Sequence, residues 1–459
     1  MFTIKKINLS KIQINQKTVD IRGIAFKALN SFEKNPQHAT DLFAKFCPHD
    51  LNYRDRTLLR EIIYGVLRWR NRLDWTYEIY LNKSIDRLSY QIKQALRIGV
   101  YQLIFLDRIP DYSAINTSVD LLNNTKDIWA KGLVNAVLRK ITNSNPCPSE
   151  EIIENLSIWE SHPKWLVNKW TKELGPEQAK NRCRSNNQIP NVVFRVNPNW
   201  GSIEDLSHRL VSMDYNVTPG IFDPDCLHLA TASNIRNNSL TDNDLFREGA
   251  YWILDEASSL VIRYANPKSG NLIWDSCAAP GGKTVGLYLS LEKNGNVLAS
   301  DFSGSRIKRL KINCSRMNAK VDIFVADVLD EIFNEVFDLV LLDAPCSSLG
   351  VLRRHPDARW RIDKKKLNDF LNRQKLLLNA VSKSVRPGGV LVYSVCSNEP
   401  EETDFVTSAF TSKEFFVNVD KSNFPDNAMN FIQSDGSLQI KPEDGNIDGF
   451  YAMRWERKK

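Results

Sequence analysis

Apolar residues recur at helical spacing along the first third of the chain. Leu59, Ile62, Ile63, Val66 and Leu67 form one stripe with the i, i+3, i+4, i+7 rhythm of an amphipathic helix. Leu133, Val134, Val137, Leu138 and Ile141 repeat it. Leu96, Ile98, Val100, Leu103, Ile104 and Leu106 are denser, which predicts a helix at the centre of a bundle. Residues from about 19 to 145 therefore read as all-helical.

The run Asn143-Ser144-Asn145-Pro146-Cys147-Pro148-Ser149 is punctuated like a linker. Residues 150–185 look helical again, and Val192 to Val196 then reads as a strand within a small mixed segment that ends near 245. From about 246 strands and helices alternate. Strands are expected at 271–275, 296–301, 323–327, 337–343 and 389–394, with helices at 284–291, 305–318 and 364–385. This alternation predicts a doubly wound parallel sheet, whose ligands bind at the C-terminal ends of the strands. The expected parts are an extension over 1–18, a helical domain over 19–148, a helical linker with a small α+β subdomain over 149–245, and an α/β domain over 246–459.

Charge sharpens this division. Residues 1–150 carry 23 Lys and Arg against 14 Asp and Glu, whereas the whole chain has 61 against 54, so the positive excess lies entirely in the first third. Arg54, Arg56, Arg60, Arg68, Arg70 and Arg72 lie along one helical stretch, with Trp69, Trp75, Tyr77 and Tyr80 among them. Such a mixture suits phosphate contact and base stacking, and equally a solvated basic surface over an aromatic core. No apolar run reaches the ~18 residues of a membrane span, and no apolar leader follows Met1, so a cytoplasmic protein is expected. The eight cysteines are scattered without CxxC or zinc-ligand spacing, which argues against a disulfide framework or a metal site.

Three segments at strand ends carry chemistry. In Asp275-Ser276-Cys277-Ala278-Ala279-Pro280-Gly281-Gly282-Lys283-Thr284 the glycines let a ligand approach the backbone at a helix N-terminus. Asp301 follows Gly282 by 19 residues, close to the offset at which an acidic side chain takes ribose hydroxyls. A phosphate-binding P-loop would need glycine at position 277, which is Cys277, and Pro280 lacks an amide, so a nucleoside without a phosphate chain fits better. Asp327, at the third strand's expected end, is placed for the adenine. The other two segments are Asp343-Ala344-Pro345-Cys346-Ser347-Ser348-Leu349-Gly350 and Tyr393-Ser394-Val395-Cys396-Ser397-Asn398-Glu399-Pro400-Glu401-Glu402. A single cysteine there is most simply an inert core residue; two at neighbouring strand ends point to function.

CAAPGGK at 277–283, DAPCS at 343–347 and YSVCS…PEE at 393–402 resemble the RNA cytosine-C5 methyltransferases of the NOL/NOP/Sun group. Gly350-Val351-Leu352-Arg353-Arg354-His355-Pro356-Asp357 resembles their bacterial small-subunit rRNA branch. Tyr64-Gly65-Val66-Leu67-Arg68-Trp69 and the segment Gly132 to Arg139 are similar to a NusB-like RNA-binding domain. The sequence differs from the usual pattern at Val395, at Leu254 before Asp255-Glu256-Ala257-Ser258, and at Ser348-Leu349.

The resemblance implies an all-α NusB-like bundle, a small α+β region and a Rossmann-like class I methyltransferase domain. It implies S-adenosylmethionine as donor, held by Cys277, Ala278, Ala279, Pro280, Gly281, Gly282, Lys283, Asp301, Arg306, Asp327 and Asp343. Cys396 is implied as the nucleophile that adds to carbon 6 of cytosine, Asp343 as the group on the cytosine edge, and Cys346 as an aid to product release. The implied substrate is cytosine 967 of 16S rRNA, as naked RNA or an early assembly intermediate, acted on by a monomer with no membrane partner. A nucleotide hydrolase with a degenerate P-loop and a non-catalytic RNA-binding assembly factor are the rival readings.

Overall fold

The computed structural model describes residues 19–82, 84–144, 148–229, 240–241, 243–330, 332–410, 415–417 and 424–459. The 1–18 extension and Asn145 to Cys147 of the expected linker lie outside the described residues. No helix among the described residues is long and apolar enough to cross a membrane.

The chain forms two compact units. The first takes residues up to 35, 42–66 and 76–145; the second takes 36–41, 67–75 and 146–459. Helices α1 (Ile21–Lys34), α2 (Ala39–Phe46), α3 (Tyr53–Glu78), α4 (Tyr90–Phe105), α5 (Asp111–Asp120) and α6 (Lys131–Ser144) account for the helical third. Asn52 caps α3 by accepting the Asp55 amide at 2.9 Å. The α3 stripe is buried as its spacing requires: Leu59, Ile62, Ile63, Val66 and Leu67 are all at most 3% exposed. The helix departs from helical dihedrals at Trp69, and residues 67–75 around this point pack with the second unit.

The second unit continues with α7 (Glu150–Glu154), α8 (Leu156–Trp159), α9 (Lys164–Leu174) and α10 (Pro176–Ser185). A small antiparallel sheet follows, built from β1 (Val192–Val196), β2 (Val217–Pro219), β3 (Cys226–Leu229) and β4 (Tyr251–Ile253) in the order β2-β3-β1-β4, with α11 (Ile203–Ser212) against it. The sheet reaches past the expected boundary at 245, because β1 needs a partner on its second edge and takes β4.

After α12 (Asp244–Arg247) and α13 (Glu256–Ala265), the large sheet collects β5 (Leu272–Asp275), β6 (Asn296–Asp301), β7 (Val321–Val325), β8 (Phe337–Asp343) and β9 (Val385–Val395) as parallel strands. Between them run α14 (Gly282–Ser290), α15 (Gly304–Arg316), α16 (Ala358–Arg361) and α17 (Lys364–Ser382). Then come α18 (Asp404–Phe410), β10 (Phe415–Val417), β11 (Leu438–Ile440) and β12 (Phe450–Arg457), and β12 runs antiparallel to β9, β10 and β11. The order β10-β12-β9-β8-β5-β6-β7 adjusts the expected parallel sheet: it is mixed, since β12 runs antiparallel beside β9.

Strand β8 shows why the sheet is covered on both faces. Leu339 and Leu341 join the apolar layer made with α13, α14 and α15, whereas Val340 and Leu342 join the layer made with α17. All four are at most 2% exposed, so the strand reads as an unbroken apolar run. Its last residue, Asp343, is where the apolar run ends and the site begins.

Candidate active site

The loop between β5 and α14 is held from several sides. The Ser276 amide donates to the Leu341 carbonyl (3.0 Å) and the Ala278 amide to the Ser300 carbonyl (2.8 Å). Arg306 Nη2 donates to the Ala279 carbonyl and Asn313 Nδ2 to the Pro280 carbonyl, each at 2.8 Å. Gly281 has φ +105, and a Cβ there would lie 2.6 Å from Leu310 Cδ1, so the turn admits no side chain. Leu254 is buried and packs over the loop; a Cβ on Gly282 would lie 3.0 Å from its Cδ1.

Three acidic groups follow the strand ends. Asp275 is buried, takes the Thr284 hydroxyl on Oδ2 at 2.6 Å, and leaves Oδ1 without a partner. Burial pushes its carboxyl up to about 7 against that hydrogen bond. Asp301 is 3% exposed, receives the Ala279 amide (3.3 Å) and the Ser303 amide (2.9 Å), and faces Arg306 at 3.4 Å. Asp327 lies two residues beyond the end of β7, not at its tip as expected, and accepts the Leu329 amide at 3.0 Å, capping the 328–330 turn. Burial, with Asp301 and Asp275 nearby, pushes the Cys277 thiol well up, which makes it an inert wall of the loop. A glycine turn at a helix N-terminus, an orphaned buried carboxylate oxygen and a carboxylate at the next strand end fit a nucleoside-bearing donor.

The loops after β8 and β9 converge because these strands are neighbours, with Asp343 paired to Ser394 in register. Asp343 is half-buried; Lys283 Nζ donates to its Oδ2 at 2.8 Å, and Ser394 Oγ donates to its Oδ1 at 2.7 Å. Lys283 thus links the donor loop to the cysteine loops. The two cysteines are free and half-buried, and their sulfurs lie 3.2 Å apart. The hydrogen bond with Cys396, then burial, pushes the Cys346 thiol well up, so Cys346 stays protonated and can donate to Cys396. Cys396 Sγ is also 3.7 Å from the hydroxyl of Ser348, which holds a left-handed backbone with φ +62. Gly350 donates its amide to the Cys396 carbonyl (3.1 Å), and a Cβ there would come within 2.4 Å of the Gly449 carbonyl oxygen.

Other residues of the sequence motifs prove to be scaffold. Arg353, 2% exposed, pairs with Asp448, and Arg354 bridges Asp448 and Asp255 at 2.6 Å each. Arg68 is buried with Nη2 on the Arg353 carbonyl at 2.6 Å; Arg72 lies 3.5 Å over the Trp159 ring and Arg70 5.2 Å over Trp360. The second half of that arginine run is therefore committed to packing. A cavity of about 540 Å³ lined by Arg195, Trp252, Arg263 and Gly286 lies apart from the cysteines.

Comparison with known proteins agrees with this architecture. The family description "16S rRNA methyltransferase RsmB/F" matches residues 262–456, "NusB family" matches 19–143, and the "Methyltr_RsmF/B-like, ferredoxin-like domain" matches 162–236. The chain is 31% identical to the probable ribosomal RNA small subunit methyltransferase B of Bacillus subtilis, covering 96% of this chain and 100% of that one. It is 31% identical to the ribosomal RNA small subunit methyltransferase B of Klebsiella pneumoniae, covering 87% and 91%. The crystal structure of PH0851 superposes with a TM-score of 0.77 at 26% identity, over 96% of this chain and 99% of that one. With identity at this level over nearly the full length of its relatives, the chain belongs to the RsmB family of S-adenosylmethionine-dependent ribosomal RNA small subunit methyltransferases.

Proposed function

We propose that the protein methylates carbon 5 of a cytosine in 16S rRNA, cytosine 967 by family resemblance, through a covalent bond between Cys396 and the base. One observation carries this reading: two free cysteines 3.2 Å apart beside an aspartate tied to the donor loop by Lys283.

Carbon 5 of cytosine is a weak nucleophile. When Cys396 bonds to carbon 6, the ring becomes enamine-like and carbon 5 can attack. Bound S-adenosylmethionine supplies an electrophilic methyl group on a sulfonium; Cys277 to Lys283, Asp301, Arg306, Asp327 and Asp343 are the residues assigned to hold it. Asp343 orients the N3/amino edge of the base, with the Lys283 ammonium and the Ser394 hydroxyl fixing the carboxylate. After methyl transfer, the proton on carbon 5 leaves to water, the carbon 6–sulfur bond breaks, and the electron pair returns to Cys396. The Cys346 S–H, 3.2 Å away, stabilises the departing thiolate. The base must leave its helix to reach these groups, at a cost of roughly a few kcal/mol.

In this reading residues 19–148 bind RNA, 149–245 join the parts, and 246–459 perform the transfer, in a cytoplasmic monomer acting on naked rRNA or an early assembly intermediate. Cys396→Ala should give no methylation and no adduct, and Cys346→Ala should accumulate a covalent RNA–protein complex on a denaturing gel. Bisulfite mapping of 16S rRNA from cells with and without the gene should show one protected cytosine lost; an unchanged map would remove the rRNA assignment.

A further inference from the structure

The two cysteine loops come from different strands, and the hydrogen bonds between their backbones do not by themselves fix where the sulfurs point. Between the loops lies Glu402, which is fully buried at the turn before α18. Its Oε1 accepts the Ser347 amide at 2.8 Å and Gln374 Nε2 at 3.1 Å, and its Oε2 accepts the Ser347 hydroxyl. The Ser397 hydroxyl also donates to this carboxylate and lies 3.4 Å from the Ser347 hydroxyl. Ser347 follows Cys346 and Ser397 follows Cys396, so one carboxylate grips the residue next to each sulfur. Glu402 is itself anchored: Tyr393 Oη on β9 donates to its carbonyl at 2.7 Å. Gln374 on α17 also holds the Pro345 carbonyl at 3.0 Å, just before Cys346.

We propose that Glu402 is a positioning residue that sets the spacing and direction of the Cys346 and Cys396 sulfurs by clamping Ser347 and Ser397. The chemistry of the cluster supports the assignment. The Ser347 amide and Gln374 Nε2 can only donate, which favours the carboxylate form, and hydrogen bonds to a charged acceptor are the strong ones. A carboxylate can take all four donors; a carboxamide can take only those on its oxygen. Burial raises the Glu402 carboxyl, and the donors from Ser347, Ser397 and Gln374 work against that rise. Its neighbour Glu399 serves a different purpose: it receives Trp170 Nε1 at 2.8 Å and Lys169 Nζ at 2.7 Å and ties the turn to α9. The role given to Glu402 rests on the reading of Cys396 as nucleophile and Cys346 as release group.

The test uses the full-length protein with Glu402→Gln and, separately, Ser347→Ala. Two measurements are made on each: methyl transfer to rRNA, and the rate at which diamide joins Cys346 to Cys396, located by peptide mass mapping. In that oxidation each thiol gives up one proton and one electron, and diamide is reduced to its hydrazine. Glu402→Gln should lower kcat roughly 10- to 100-fold, the scale set by misplacing a reacting group by about 1 Å. The KM for rRNA and the affinity for S-adenosylmethionine should stay close to wild type, and crosslinking should slow in step with kcat. Ser347→Ala should show the same signature, and the double variant should be no worse than Glu402→Gln alone, because both remove one clamp. If Glu402→Gln fails to fold, Ser347→Ala decides the matter. Wild-type kcat and crosslinking in a folded variant would overturn the clamp. Methylation that survives Cys396→Ala would instead overturn the nucleophile, and the crosslinking rates would still report on the clamp.

Discussion

Cys346 and Cys396 have the same side chain and nearly touch, yet their surroundings make them unequal. The Cys346 thiol is pushed up by its bond to Cys396 and by burial, which favours its protonated form. Sequence could place both cysteines at strand ends and, by resemblance, give them roles, but it could not show that the sulfurs meet, because that contact joins residues 50 apart in the chain. Asp343 shows the same limit: its position after an apolar strand was legible, whereas its tie to Lys283 appears only once β5 and β8 are neighbours. Asp343→Asn should lower the single-turnover methylation rate by roughly 10²- to 10³-fold, the usual loss of one preorganised electrostatic contact; an unchanged rate would exclude it from the chemistry. Asp275 offers a test by pH. Its carboxyl rises from 3.8 to about 7 in the folded protein, so the folded state binds more protons than the unfolded one across that window. Stability from this group is therefore greatest at low pH and falls as pH rises towards 7, by at most about 1.4 kcal/mol per unit. Asp275→Asn should gain stability relative to wild type between pH 5 and pH 7.5 in urea denaturation; a pH-independent difference would contradict the burial argument.

At the scale of elements, the loops matter more than the strands that carry them. Gly350 sits against the Gly449 and Cys396 carbonyls, so Gly350→Ala should cost about 1–3 kcal/mol from overpacking and also slow methylation, since one of the two carbonyls crowded belongs to the nucleophile. Urea midpoints and initial rates, read together, check both effects. The Arg353-Arg354 pair looked like a branch-specific signature in sequence and proves to be a buried charge cluster with Asp255 and Asp448. Arg353→Met leaves those carboxylates undercompensated in the interior, with an expected loss of about 3–5 kcal/mol in the same assay. Strands β5, β6, β8 and β9 were legible from apolar runs of the right length between turns. The β12 return was not, because a strand antiparallel to its neighbours lacks the strand–helix rhythm that revealed the others. Half-buried Val321 and Ile323 give a weak strand signal, so β7 begins and ends two residues before its expected span and Asp327 caps a turn instead of ending a strand.

The whole molecule separates charge from chemistry. The positive excess lies in the first 150 residues, whereas the donor loop and both cysteines belong to the second unit. Part of the arginine run goes to packing, so the RNA binding proposed for the first unit would use cations that remain exposed, such as Arg54, Arg139 and Lys140. Reversing these three to Glu should weaken rRNA binding and flatten its salt dependence by roughly 0.7–0.9 in slope for each phosphate that is no longer neutralised. Binding of S-adenosylmethionine, titrated by calorimetry, should be unaffected. The most direct test of the account isolates the covalent step. Cys346→Ala, incubated with 16S rRNA and S-adenosylmethionine and then denatured, should run as a protein–RNA adduct whose nucleotide maps by mass spectrometry to Cys396 and carries a new methyl group. An adduct on any other residue, or methylation that proceeds without Cys396, would contradict it.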